Sequence, residues 1–90
     1  MRYEYDPEKS RSNKIKHGID FEEAQALWKD ENLIVVDSAY ETEPRSLAIG
    51  RIDGVCWTAV ITYRQEAVRF ISCRRARTKE EALYVQEHSY

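Results

Sequence analysis

Cations crowd into one short stretch near the end of the chain. Between residues 65 and 79 stand Arg69, Arg74, Arg75, Arg77 and Lys79, with Glu66 as the acid among them. A guanidinium is a planar fork that can hold two phosphate oxygens at once. Arg69 and Arg74, with Arg45 further upstream, are therefore the first candidates for gripping a phosphate and the charge that builds on it. Strand alternation sets a condition on this grouping. Residues five apart on a strand face opposite sides. Arg69 and Arg74 can share a site only if the chain bends or bulges near Ser72–Cys73.

A second basic set lies near the start. Lys9, Asn13 and Lys16 are spaced i, i+4 and i+7, so they share one face of a helix, and His17 follows at its end. An imidazole is the natural acid or base near neutrality. Cations are also favoured at a helix C-terminus by the macrodipole alone, so the position explains itself either way. Tyr63, Glu80 and Tyr84 could in principle move a proton. For Glu80 a salt bridge that orients Arg74 is the favoured role, and Tyr84 reads better as a partly buried helix residue. His88 falls in the tail and is set aside. No His, Asp and Glu set shows metal-ligand spacing, so no metal and no cofactor are expected. Cys56 and Cys73 sit in apolar runs and read as buried free thiols.

The elements that must position these groups can be traced along the chain. Tyr3 to Tyr5 is a short aromatic start, read as an edge strand. Asp6-Pro7 is a helix start, with Asp as the cap and Pro in the first turn. Gly18 ends that helix after His17. Ile15 is its one apolar residue after Pro7, so the helix is solvated or faces a ligand. Asp20 and Glu23 form a capping box for a second helix. There Phe21, Ala24 and Trp28 should face the core. Leu33–Val36 and Leu47–Ile52 are β-rich runs separated by a polar loop. Asp53-Gly54 is a tight hairpin turn. Val55–Tyr63 and Val68–Cys73 are strands. Thr78 and Glu81 read as a capping box that opens a last helix through about His88. The expected fold is α+β: an antiparallel meander with two N-terminal helices and one C-terminal helix packed on one face. Trp28, Trp57, Phe21 and Phe70 are expected in its core rather than as base-stacking platforms.

Ninety residues make one domain, 1–90, and 42% apolar with 33% charged residues suits a globular one. The net charge of −2 hides segregation. Residues 20–43 are strongly acidic, with Lys29 as the one base. Polyanion binding depends on local rather than net charge, and the acidic stretch is expected to lie away from any basic cleft. No apolar run approaches the roughly 18 residues of a membrane span. The charged N-terminus lacks a signal-peptide core. The expectation is a cytoplasmic protein with no membrane partner.

Taken in order, several pieces resemble one family. Tyr5-Asp6-Pro7, Lys9, Asn13, Lys16-His17-Gly18, Phe21, Glu22 and Ala24 are similar to the N-terminal pattern of the BrnT family. Arg45 with Ala48-Ile49-Gly50 is similar to its Arg-x-x-x-Ile-Gly strand. Arg69-Phe70-Ile71-Ser72-Cys73-Arg74-Arg75-Ala76, Glu80 and Tyr84 are similar to its C-terminal pattern. The resemblance implies a RelE-like fold and a metal-independent endoribonuclease toxin of a type II toxin–antitoxin system that stops translation. It implies a BrnA-type antitoxin, two toxins on an antitoxin dimer, and operator DNA bound through that antitoxin.

Metal-free RNA cleavage needs a base for the ribose 2′-OH, donors for the phosphoryl oxygens and an acid for the leaving 5′-oxygen. It leaves a 2′,3′-cyclic phosphate. Arg69, Arg74, Arg45, His17 and Glu80 are the catalytic candidates, and Lys9, Asn13, Lys16, Arg75 and Arg77 the RNA-binding ones. Two rival readings keep the basic face without the chemistry. One is a non-catalytic interaction module; the other is an inactive toxin serving as co-repressor with its antitoxin.

Overall fold

The computed structural model describes residues 2–38 and 44–87. The order is β1 (Arg2–Glu4), α1 (Pro7–His17), a 3-10 helix (Glu23–Lys29), β2 (Ile34–Asp37), β3 (Ser46–Ile52), β4 (Val55–Arg64), β5 (Ala67–Arg75) and α2 (Thr78–Glu87). The five strands form one sheet in the order β1-β5-β4-β3-β2. Strands β2 to β5 are the expected antiparallel meander. The sheet as a whole is mixed, because β1 pairs parallel to β5. The chain crosses from β1 through both N-terminal helices and three strands before it returns, which removes any hairpin constraint on the direction of β1.

Both hairpin turns follow from local conformation. Asp53 and Gly54 have φ of 50° and 81°, and Gln65 and Glu66 have φ of 49° and 68°. Two successive positive φ values are the signature of the turn whose twist matches a two-residue hairpin. Asp-Gly signals this in sequence. Gln-Glu does not, and the short connection imposes it.

The two faces of the sheet carry different helices, which corrects the expectation of a single covered face. Ala48, Ala59, Ile61, Val68, Phe70 and Cys73 pack with Phe21, Ala24 and Leu27 on one face. Ile49 and Cys56 pack with Tyr84 of α2 on the other. The second N-terminal helix is a 3-10 segment rather than an α-helix. Phe21, Ala24 and Leu27 recur every third residue and are fully buried. Three residues per turn places such a series in one line. Trp28 borders this cluster instead of leading it. Phe70 is the hub, with Phe21 stacked at 5.5 Å, Tyr3 at 5.9 Å and Trp28 edge-on at 5.6 Å. The expected capping box is present, since Asp20 Oδ1 accepts from the Glu23 amide and Glu23 Oε1 from the Asp20 amide.

Helix α1 docks through polar groups. Asp6 caps it by accepting from the Glu8 amide, and Gly18 closes it at φ 82°. Ile15 is 88% exposed, whereas Ser10 and Asn13 are buried. The Ser10 hydroxyl accepts from the Phe21 amide at 2.9 Å. Asn13 donates to the carbonyls of Cys73 at 2.7 Å and Ile19 at 2.8 Å, and its own oxygen accepts from the Cys73 amide at 3.3 Å. β1 pairs with β5 only as far as Arg69. Beyond it, the Asn13 amide satisfies the Cys73 backbone in place of a neighbouring strand.

Replacing Asn13 with Ala strands those buried groups and should cost about 2 kcal/mol in urea unfolding. Ile15→Ala, on the solvent side of the same helix, should stay within about 0.5 kcal/mol. Equal losses for the two variants would refute the docking role of Asn13.

Candidate active site

A register shift in β5 decides where its arginines point. Ile61 pairs with Phe70, but Val60 pairs with Ser72, so Ile71 is an extra residue between them. A β-bulge of this kind resets alternation. Arg69 lies opposite Thr62 and Arg74 opposite Thr58. Cross-strand partners share a face, and Thr58 and Thr62 are an even number apart on β4. Arg69 and Arg74 therefore project from the same face, the one that α2 partly covers. The bulge falls just before Ser72–Cys73, where the sequence required one.

On this face Asp37, Ser38, Arg45, Leu47, Val60, Arg74, Arg77 and Glu80 line a pocket of about 360 Å3. Lys9, Pro44, Arg45, Thr62, Arg64, Arg69 and Ile71 line the next pocket. Arg45 belongs to both and joins them into one groove. Its backbone is pinned on either side, since the Thr62 hydroxyl donates to the Pro44 carbonyl and the Ser38 amide to the Arg45 carbonyl.

Glu80 anchors the first pocket. It is 8% exposed and accepts from Arg74 Nη1 at 2.7 Å and Nη2 at 2.9 Å. It also accepts from the Arg77 amide at 2.8 Å and the buried Thr58 hydroxyl at 3.0 Å. The two-pronged Arg74 bond, reinforced by the Arg77 and Thr58 bonds and partly opposed by burial, holds the Glu80 carboxyl at about 2. At neutral pH Glu80 is therefore an ionised acceptor that fixes the plane of Arg74, not a proton donor. The same contact caps α2: Glu80, rather than Glu81, makes the back-bond, and its partner is Arg77, rather than Thr78.

The remaining candidates divide. His17 sits with Lys9, Ser12, Asn13, Lys16, Ile71 and Ser72 in a third pocket at the β5 edge, not beside Arg74. Asn13 contributes mainly its hydrogen bonds to β5. Arg75 is on the opposite face, its guanidinium 5.5 Å from the Trp57 ring centre, so the structure does not bring it to the groove. Tyr84 is buried and donates to Asp30 Oδ2 at 2.8 Å, with Arg51 over its ring. Tyr63 is half exposed at the rim of a side pocket with Arg45 and Thr62. Cys73 is fully buried, and burial pushes its thiol up to about 12, so it is inert. Cys56 is also buried and shifted upward, chiefly by desolvation.

Asp37 was missed in sequence. The acidic stretch was expected to avoid the cleft, yet Asp37 lines it. Glu41 and Glu43 lie outside the described residues, as does His88. Thr58 was also missed, because a buried threonine in a strand has no signature that separates it from a packing residue. Among the described residues, no three His, Cys, Asp or Glu side chains gather as metal ligands, and no helix is long and apolar enough to cross a membrane.

A small α+β domain with an arginine-walled groove across a sheet face is a domain suited to gripping a polyanion. The family model for BrnT, the ribonuclease toxin of a type II toxin–antitoxin system, matches residues 5–80, and the chain belongs to that family. It is thus a ribonuclease toxin, with RNA as target and a protein antitoxin as counterpart. No curated protein matches it.

The depressed Glu80 carboxyl carries a pH signature. A lowered folded-state value stabilises above the unfolded value near 4.5 and loses that contribution as pH falls toward about 2. The shift corresponds to about 3 kcal/mol. Glu80→Gln should lose stability of that order at pH 7, and its unfolding free energy should fall less than that of the parent between about pH 5 and 2. Parallel pH profiles for the two proteins would contradict the assignment.

Proposed function

We propose that the groove cleaves RNA without a metal, by attack of a ribose 2′-OH on the adjacent phosphate. Arg74 and Arg45 grip the phosphoryl oxygens, Arg69 continues the cationic wall, and Glu80 keeps Arg74 in one orientation. A fixed guanidinium aimed at developing charge is worth more than a mobile one, because no reorganisation is left for the moment of reaction. Arg77 flanks the same pocket. Asp37 shares the pocket with Arg45 and Arg74, and we assign it to take the 2′-OH proton. The 2′-oxygen–phosphorus bond forms, the bond to the 5′-oxygen breaks, and that oxygen takes a proton from water. The products are a 2′,3′-cyclic phosphate and a 5′-OH end.

One observation carries this reading. The bulge at Ile71 turns two arginines that alternation would separate onto a single face, where Arg45 joins their pockets. Metal independence is supported by what lines the groove, which is guanidinium groups rather than a ligand cluster. The RelE-like fold, the arrest of translation, action in the cytoplasm and a BrnA-type antitoxin are expectations of the same reading. So are a complex of two toxins on an antitoxin dimer and operator DNA bound through it. They are supported by family membership. An antitoxin that neutralises the chain would have to cover or block this basic face, and acidic segments would speed its capture.

The test uses purified protein and a defined RNA in EDTA. Fragments ending in 2′,3′-cyclic phosphate are expected. Arg74→Ala should lower the rate about 100- to 1,000-fold, and Asp37→Asn about 100-fold. Lys29→Ala, outside the groove, should match the parent. Intact RNA, or cleavage equally fast in the folded Arg74 variant, would overturn the proposal.

A further inference from the structure

Helix α1 sorts its cations by side. Arg11 pairs with Glu8. Lys14 pairs with Glu23 at 2.7 Å, and that bond raises the lysine and lowers the carboxyl from their ordinary values. These two cations face away from the groove and are neutralised where they stand. Lys9 and Lys16 line the pocket at the β5 edge with His17, Ser12 and Ser72. Among the described residues neither lysine has an acidic partner. A helix C-terminus already carries partial negative charge, which weakens anion binding there. Lys16 in that last turn offsets it, and of the acids beside the helix end, Glu23 is bound to Lys14 and Asp20 also acts on Lys14.

Position adds a second argument. Lys9 lines both this pocket and the Arg69 pocket, just as Arg45 lines both the Arg69 and Arg74 pockets. Ile71, the extra residue of the bulge, also borders both pockets beside α1. Three basic pockets thus follow one another from Arg77 round the β5 edge to Lys16; Glu4 of β1 approaches Arg69 at 3.8 Å but lines neither of the two pockets beside α1. A chain of evenly spaced phosphates fits such a track. An acidic protein segment has no comparable need for continuity with the arginine pocket.

We infer that Lys9, Lys16 and His17 form an outer phosphate subsite for single-stranded RNA, separate from the cleavage centre, so that the protein prefers substrates several nucleotides long. The inference rests on the groove being the RNA path. Lys16 acts on binding and leaves the chemical step alone. Lys9, shared between pockets, contributes to binding in both the Arg69 pocket and this one.

The experiment measures binding by fluorescence anisotropy with 2′-O-methyl RNA, which lacks the attacking hydroxyl, alongside cleavage of ordinary RNA. An oligonucleotide of about a dozen nucleotides is compared with a dinucleotide. Lys16→Glu should weaken binding of the longer oligonucleotide about tenfold or more, and Lys16→Ala should lower its salt-dependence slope by about 0.7, the contribution of one single-strand phosphate. For both variants the loss should be larger on the longer oligonucleotide than on the dinucleotide, and Arg11→Ala, at an ion-paired cation of the same helix, should match the parent on both. Unchanged affinity and slope for the longer oligonucleotide would overturn the subsite, as would an equal loss on the dinucleotide. So would loss of affinity for an acidic peptide with RNA binding intact. If the parent binds no RNA at all, the groove reading fails with it. If Arg74→Ala abolishes cleavage while Lys16→Glu binds normally, only the subsite fails.

Discussion

A β-strand repeats every two residues, and that period alone would send Arg69 and Arg74 to opposite faces of the sheet. Ile71 breaks the period. It is accommodated opposite the Val60–Ile61 step, and everything after it in β5 is turned over relative to what precedes it. Upstream of the bulge, Phe70 points into the aromatic cluster that builds the core. Downstream, Cys73 points to the same core and Arg74 to the groove. Without the extra residue, a core facing Phe70 and Val68 would present Arg74 to the core side. The bulge lets one strand serve a continuous core and a continuous cationic wall.

The rest of the molecule secures that arrangement from both ends. At the end of β5, α2 begins with Glu80, whose carboxylate gathers Arg74, the Arg77 amide and Thr58. A buried carboxylate is tolerated here because Oε1 accepts three hydrogen bonds and Oε2 one, two of the four from a guanidinium, and removing that partner would leave the charge uncompensated. Just past the bulge, Asn13 closes the open edge of β5 at Cys73. The sheet edge is thereby blocked by a helix instead of another strand, and the helix brings Lys9 to the groove and Lys16 to the pocket beside it. The two faces divide the labour: apolar packing with the 3-10 helix on one, charge with α2 on the other.

Much of this was legible in the residues. Asp6, Pro7 and Gly18 bounded α1, Asp20 and Glu23 boxed the next helix, and Asp53-Gly54 marked a hairpin, because each acts on its immediate neighbours. The orienting role of Glu80 on Arg74 was also readable, as both stand in one short segment. The parallel direction of β1 and the placement of α2 on the far face were not, since they depend on contacts between distant parts of the chain. The bulge was legible only as a requirement: the arginine spacing demanded it, and no residue type marked Ile71 as the insertion. Arg75 was grouped with its neighbours by sequence proximity, but the restored alternation places it over Trp57. Asp37 was discounted because its surroundings in sequence are acidic, while its surroundings in space are the arginines.

The central claim is that Arg45, Arg69 and Arg74 meet one RNA strand on one face. Arginine side-chain NMR tests it most directly, with the Nε–H resonances followed as a 2′-O-methyl oligonucleotide of about a dozen nucleotides is added. The resonances of Arg45, Arg69 and Arg74 should shift together along one saturation curve, while that of Arg75 stays in place. A shift of Arg75, or an Arg69 or Arg74 that remains still at saturation, would contradict the account.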